Sequence, residues 1–330
     1  MNNISIEQIL NFIEQKGKAR AEDLRNEFGY SRGLIHRQLK KLIAENKINR
    51  VGKPPLVFYT IASSQKATAG DWQTDPKLIK FIDLNYLYVT PTGEIVSGYE
   101  GFKKWVSAIK QDKYLLQLAT EYIKTRKEVN KFYNKGGFID ATEKVKATFD
   151  KCNLNKLFYL DFYSLPKFGK TKLGQQVLYA KQAQSRGLIK EISKECKGKI
   201  ENLIKNKNIE AVAFIPPTVP RQLQFLKELE RHLKIKIPKI DLVKAYKGDI
   251  PIAQKTLSRL EERVENAKST IYTKGFAKTY KNVLIIDDAV GSGASLNETA
   301  QKLLKEKVAK KVYGFAIVGS YKGFDVIREI

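Results

Sequence analysis

Val283-Leu284-Ile285-Ile286-Asp287-Asp288-Ala289-Val290-Gly291-Ser292-Gly293-Ala294-Ser295 is the stretch that decides the fold. Four apolar residues run into two adjacent carboxylates, a short Gly/Ser turn follows, and a helical pattern opens at Ser295 and continues to Leu304. A short apolar run closed by a turn reads as a strand of a covered parallel sheet. In such sheets ligands bind beyond the carboxyl ends of the strands. A turn without bulky side chains offers its backbone N–H groups, and the following helix N-terminus adds partial positive charge, so the segment is suited to an anion. Ser292 and Ser295 bring hydroxyl donors. The paired carboxylates of Asp287 and Asp288 suit two vicinal sugar hydroxyls, held directly or through a metal ion.

Working outward, Leu157 to Phe162 reads as a strand and Gly174 to Lys205 as one long helical stretch. Ala211 to Ile215 is a short buried strand, Pro220 to Leu233 a helix, Lys239 to Val243 a strand and Lys311 to Val318 the last strand. Alternation of this kind predicts an α/β domain, Rossmann-like, with a mainly parallel sheet covered on both faces. It spans residues 156–330.

The acid pair and its small-residue turn resemble the phosphoribosyl pyrophosphate (PRPP) signature of type I phosphoribosyltransferases. The resemblance implies that Asp287 and Asp288 hold the ribose 2- and 3-hydroxyls. It also implies that Gly291, Ser292, Gly293, Ala294 and Ser295 wrap the 5-phosphate, with Ala289 and Val290 in the same ligand loop. PRPP would come with Mg²⁺, carried by the ligand and reached, if at all, through Asp287 and Asp288. Ile215-Pro216-Pro217-Thr218-Val219-Pro220-Arg221 falls where the family keeps its pyrophosphate loop, which makes Arg221 a candidate contact. Lys255 to Ala267 resembles a segment of the competence-associated phosphoribosyltransferase-like family, and Lys255, Arg259 and Arg263 are its matching basic positions. Gly291 stands where purine-salvage members often carry an acid that serves as base, so the obvious general base is missing. No base-recognition hood is recognisable. His36 and His232 read as surface or core residues.

At the other end, apolar spacing at Ile6, Ile9, Leu10 and Ile13 predicts a helix that ends at Gly17. A second helix carries Ala21, Leu24 and Phe28 inward and stops at Gly29. Ser31 stands at an N-cap position before a third helix with Leu34, Ile35, Leu39, Leu42 and Ile43 on its apolar face. Two strands follow, joined by Gly52-Lys53-Pro54-Pro55. Three helices and a hairpin within residues 1–61 look like a winged helix-turn-helix, whose second helix of the pair enters the major groove of double-stranded DNA. Ser31, Arg32, His36, Arg37 and Lys40 would face the duplex there, with Arg50 and Lys53 on the wing. A winged helix ahead of a phosphoribosyltransferase fold resembles the purine-operon repressor family, in which a PRPP-binding domain controls a DNA-binding one.

Residues 62–76 read as a polar linker. Residues 77–155 form a mixed, mostly helical middle region: Lys80 to Val89 and Glu94 to Tyr99 read as hairpin strands around Thr90-Pro91-Thr92-Gly93, with helices beyond. Two roles are open to it, bracing the two ends or forming the contact of a homodimer. The chain carries 60 Lys+Arg against 35 Asp+Glu, a net charge of +25, which favours a polyanionic partner. No apolar run is long enough to span a bilayer, the first residues lack the layout of a signal peptide, and Cys152 and Cys196 have no metal or disulfide spacing. A cytoplasmic protein without a membrane partner is expected. Three functions remain open: a DNA-binding regulator with PRPP as effector, a catalytic phosphoribosyltransferase with an auxiliary winged helix, and a DNA-processing accessory.

Overall fold

The computed structural model describes residues 6–45, 47–53, 56–61, 75–219, 221–245, 257, 259–274 and 278–321. Lys255 and residues 62–74 lie outside them. The chain divides into two compact units, Met1–Thr74 and Asp75–Ile330.

In the first unit, α1 (Ile6–Lys16), α2 (Ala21–Phe28) and α3 (Arg32–Ala44) precede an antiparallel pair, β1 (Ile48–Lys53) and β2 (Leu56–Ile61). The apolar positions three and four apart do what their spacing predicts: Ile9, Ile13, Leu24, Ile35, Leu39, Leu42, Ile48 and Tyr59 close into one core. Each Leu or Ile buried there contributes about 1.5–3 kcal/mol. Ser31 Oγ accepts from the Leu34 N–H at 3.4 Å and caps α3.

The second unit opens with α4 (Pro76–Asn85), β3 (Leu87–Val89), β4 (Ile95–Ser97), α5 (Gly98–Ala108), a 3₁₀ turn at Asp112–Tyr114, α6 (Leu115–Asn130), β5 (Ile139–Asp140) and α7 (Thr142–Lys146). Then come β6 (Lys156–Phe162), β7 (Ser164–Leu165), β8 (Gly169–Lys170), α8 (Lys172–Gln182), α9 (Arg186–Asn206), β9 (Ala211–Phe214), α10 (Phe225–Leu233), β10 (Lys239–Ile240) and β11 (Leu242–Lys244). It closes with α11 (Leu260–Thr270), β12 (Ile271–Thr273), β13 (Tyr280–Val290), α12 (Ala294–Lys305) and β14 (Ala309–Gly319).

The central sheet has the order β10-β9-β13-β14-β6-β5 and is parallel except for β5, which runs antiparallel to β6. The middle segment thus adds an edge strand to this sheet. It is also held by rings: Tyr86, Phe102, Trp105 and Tyr122 cluster through tilted and edge-on contacts at centroid distances of 5.0–6.2 Å, and Trp105 and Tyr122 meet Phe168 at 5.7 and 5.3 Å. From β9 the chain moves to β10 on one side, whereas β13 leads to β14 on the other. The crevice between the ends of β9 and β13 is therefore the switch point of the sheet.

Several elements depart from the sequence reading. Lys80 to Asn85 is the end of α4 and not a hairpin strand, because Asp75 Oδ1 caps this helix by accepting from the Lys77 N–H at 2.9 Å. The helix expected from Gly174 to Lys205 is two helices. Gln184 at φ 49° turns the chain, and Ser185 Oγ caps α9 by accepting from the Leu188 N–H at 3.3 Å. The helix expected from Pro220 begins only at Phe225, which leaves Arg221 in a loop. The strand expected over Lys239–Val243 is split, since β10 joins the central sheet while β11 pairs with β12. Asp287 and Asp288 lie inside β13, which runs on to Val290, so the acids line its last turn of pleat instead of ending it. Among the described residues no helix is long and apolar enough to cross a membrane.

Candidate functional site

A cleft of about 260 Å³ opens at the switch point. Asp287, Asp288, Ala289, Val290, Gly291, Ser292, Gly293, Ala294 and Ser295 all line it, so the expected ligand loop is one continuous wall. Gly293, at φ +85°, turns the strand into α12, a conformation that a β-carbon disfavours. Ser292 Oγ accepts from the Ala294 N–H at 3.3 Å and tightens the turn.

Basic side chains share this cleft. Lys181, Arg221, Lys227, Lys244 and Arg263 line the same cleft. Arg221 Nη1 donates to the carbonyl of Lys181 at 2.6 Å. Lys244 Nζ donates to Thr218 Oγ1, on the loop after β9. Arg263 is buried and donates from Nε to the carbonyl of Leu257 at 2.8 Å. Of the four residues expected near a pyrophosphate, Arg221 and Arg263 therefore reach the cleft. Arg259 stands exposed at the start of α11 and is not in the wall, because its place at the N-cap turns it outward from the buried face that carries Arg263.

Lys181 was not foreseen. Its Nζ lies 2.9 Å from Asp288 Oδ2, with the two side chains 27% and 18% exposed. The backbone explains how it arrives there: a β-carbon on Gly174 would fall 2.1 Å from the Tyr163 carbonyl oxygen, so a glycine lets α8 lie directly on the end of β6. Seven residues on, two turns along the same helix face, Lys181 points into the cleft beside Val177 and Leu178. Sequence gives little warning of it, because it is one of 60 basic residues and sits in a plain amphipathic helix.

The electrostatics follow from crowding. Burial, and then the neighbouring Asp288, push the Asp287 carboxyl up to about 7, against the Asp288 N–H, Lys181 and Lys244. That N–H donates to Asp287 Oδ1 at 2.8 Å. Burial opposes the charge of Lys181, but Asp288 outweighs it and holds the ammonium above the ordinary lysine value. Lys244 is pushed down by burial, with Asp287 pulling the other way.

The resemblance noted above implies Mg²⁺ with the ligand. On this acid pair an ammonium already occupies Asp288 Oδ2, and among the described residues no group of three or more His, Cys, Asp or Glu comes together. The residues present do not fit a magnesium ion held by the protein.

In the first unit Arg32, His36, Arg37 and Lys40 are exposed on α3, with Arg37 and Lys40 on the side away from its buried Ile35, Leu39 and Leu42, and Arg50 is exposed on β1. Ser31 is exposed as the cap of α3, and Lys53 ends β1. His232, expected on the surface or in the core, lies with Nε2 3.0 Å from Glu228 Oε1 and away from the cleft.

No curated protein matches the chain. Among solved structures, a hypoxanthine phosphoribosyltransferase from Staphylococcus aureus is similar over 44% of this chain and 70% of that chain, at 14% identity and a TM-score of 0.26. The family model described as phosphoribosyl transferase domain matches residues 188–321, which contain β9, β13, the acid pair and the glycine turn, so a domain of that type is present in this chain.

Proposed function

We propose that this chain is a DNA-binding regulator whose phosphoribosyl transferase domain takes up PRPP, or a related phosphoribosyl compound, as its signal. The observation that carries the reading is that Asp287, Asp288 and the Gly291–Ser295 turn line one cleft together with Arg221 and Lys244. Ribose hydroxyls would donate to the two carboxylates. The 5-phosphate would accept from the N–H groups of the turn and from Ser292 and Ser295, at the positive end of α12. The diphosphate would meet Arg221 and Lys244.

Among the described residues lining the cleft the carboxylates are Asp287 and Asp288 alone, both assigned to the sugar. Gly291 offers no base. This supports holding the ligand over turning it over. The first unit supports the other half of the reading, because α3 is capped, packed on one face and basic on the other, the form of a recognition helix in a winged helix-turn-helix.

A catalytic transferase is the second reading, favoured by the apolar part of the cleft at Val177, Leu178, Ile215, Pro216 and Phe225, which could hold the plane of a base. Two measurements separate them. Calorimetry with PRPP should show binding, and a pyrophosphate-release assay against nucleobases should show no turnover. Turnover with any base would replace the regulator by an enzyme, and absence of PRPP binding would remove both.

A further inference from the structure

We propose that the ammonium of Lys181 does on this acid pair what a divalent cation would do, so that the cleft takes a sugar diphosphate with vicinal hydroxyls in metal-free form. The inference rests on the phosphoribosyl reading of the cleft and narrows the form in which the ligand enters.

Three observations carry it. The first is placement: Lys181 Nζ is 2.9 Å from Asp288 Oδ2, and α8 is seated on β6 by the close approach at Gly174. An ammonium has three donors, so Lys181 can hold Asp288 and still reach a hydroxyl or diphosphate oxygen of the ligand. A metal bridging acid and ligand would have the same two kinds of partner. The second is bracing. The main-chain carbonyl of Lys181 accepts from Arg221 Nη1 at 2.6 Å, which ties the end of α8 that carries the ammonium to an arginine lining the same cleft. The third is charge. Five basic side chains line the cleft against two carboxylates, so the wall itself carries the positive surplus that a polyanion needs. Lys181 belongs to α8, ahead of residues 188–321, the part that matches the phosphoribosyl transferase domain.

The test is calorimetry of the full chain with PRPP, once in excess Mg²⁺ and once in EDTA, for the parent, Lys181→Met and Lys181→Arg. The parent and Lys181→Arg should bind with affinities that agree within about threefold between the two buffers, a difference well under the worth of one charged hydrogen bond. Lys181→Met should bind at least about tenfold more weakly in EDTA than in Mg²⁺, since the metal then replaces the lost ammonium. A parent that loses about tenfold or more in EDTA overturns the inference while leaving the phosphoribosyl reading standing. So does a folded Lys181→Met with the same buffer ratio as the parent. If Lys181→Met does not fold, the parent and Lys181→Arg decide on their own. A folded parent that binds no PRPP in either buffer contradicts the phosphoribosyl reading, and the inference falls with it.

Discussion

Val145 closes on Gly293: a β-carbon added to Gly293 would stand 3.2 Å from Val145 Cγ2. The helix α7, from the segment before the phosphoribosyl transferase match, thus backs the turn proposed to hold the 5-phosphate. Gly293→Ala meets that contact and must also adopt a φ of +85°, at a cost of about 1–2 kcal/mol. The variant should unfold at lower denaturant than the parent and bind PRPP more weakly. Parent-like values in both titrations would mean that the turn tolerates a side chain and that its shape is not set by Val145.

Asp288→Asn keeps the size of the side chain and removes the charge that faces Lys181. A hydrogen bond involving a charged group contributes about 1.5–3 kcal/mol, so PRPP affinity should fall by roughly 10- to 150-fold. Circular dichroism should be unchanged. Equal affinities for the two proteins would show that the sugar hydroxyls lie elsewhere.

Asp287 makes a prediction about pH. Its carboxyl is raised by burial, then by Asp288, to about 7, whereas an unfolded aspartate titrates near about 3.9. Between those values the folded chain holds the proton and the unfolded chain does not, so this group takes stability away as pH rises through the window. Asp287→Asn has no proton to lose. The melting temperature of the variant should therefore gain on that of the parent from about pH 4 to about pH 7, and the difference should stay constant above. A difference that stays flat across the window contradicts the desolvated, crowded setting described for Asp287.

Much of this molecule was legible in its sequence, and the parts that were not share a physical reason. The strand, acid pair and turn from Val283 to Ser295 were readable because local residues dictate them: an apolar run, two charges and two glycines. So were α1, α2 and α3, whose apolar spacing and Ser31 cap act within the helix itself. The split of Lys239–Val243 into strands of two sheets was not, since pairing partners far along the chain decide it. Nor was Lys181. Its role depends on α8 lying against β6 at Gly174, a contact between segments that no local pattern records. Arg259 and Arg263 show the same limit: one caps α11 and the other lies within it, and only packing tells which of them turns inward.

The exposed face of α3 gives a prediction of its own. Arg37 is exposed on the side of α3 away from its buried Ile35, Leu39 and Leu42, where a phosphate contact would be screened by salt. Arg37→Ala should weaken duplex binding and reduce the slope of log affinity against log salt by about one. Fluorescence anisotropy over a salt series reads both quantities. An unchanged slope would place the DNA contacts outside this face, or leave the unit as a module for protein contacts.

If a phosphoribosyl ligand sets the DNA affinity of this chain, the two ligands must be linked, and a pair of titrations measures that linkage. A duplex selected from random sequence by the full chain is titrated with and without saturating PRPP, and PRPP is titrated with and without saturating duplex. A ligand that acts as a signal must distinguish the DNA-bound from the free form, and the two titrations must then shift by the same factor. A common shift of roughly 5- to 150-fold is expected, abolished when Asp287→Asn and Asp288→Asn are combined and not reproduced by pyrophosphate alone. Superimposable DNA curves with and without PRPP, from a protein that binds both, would contradict it.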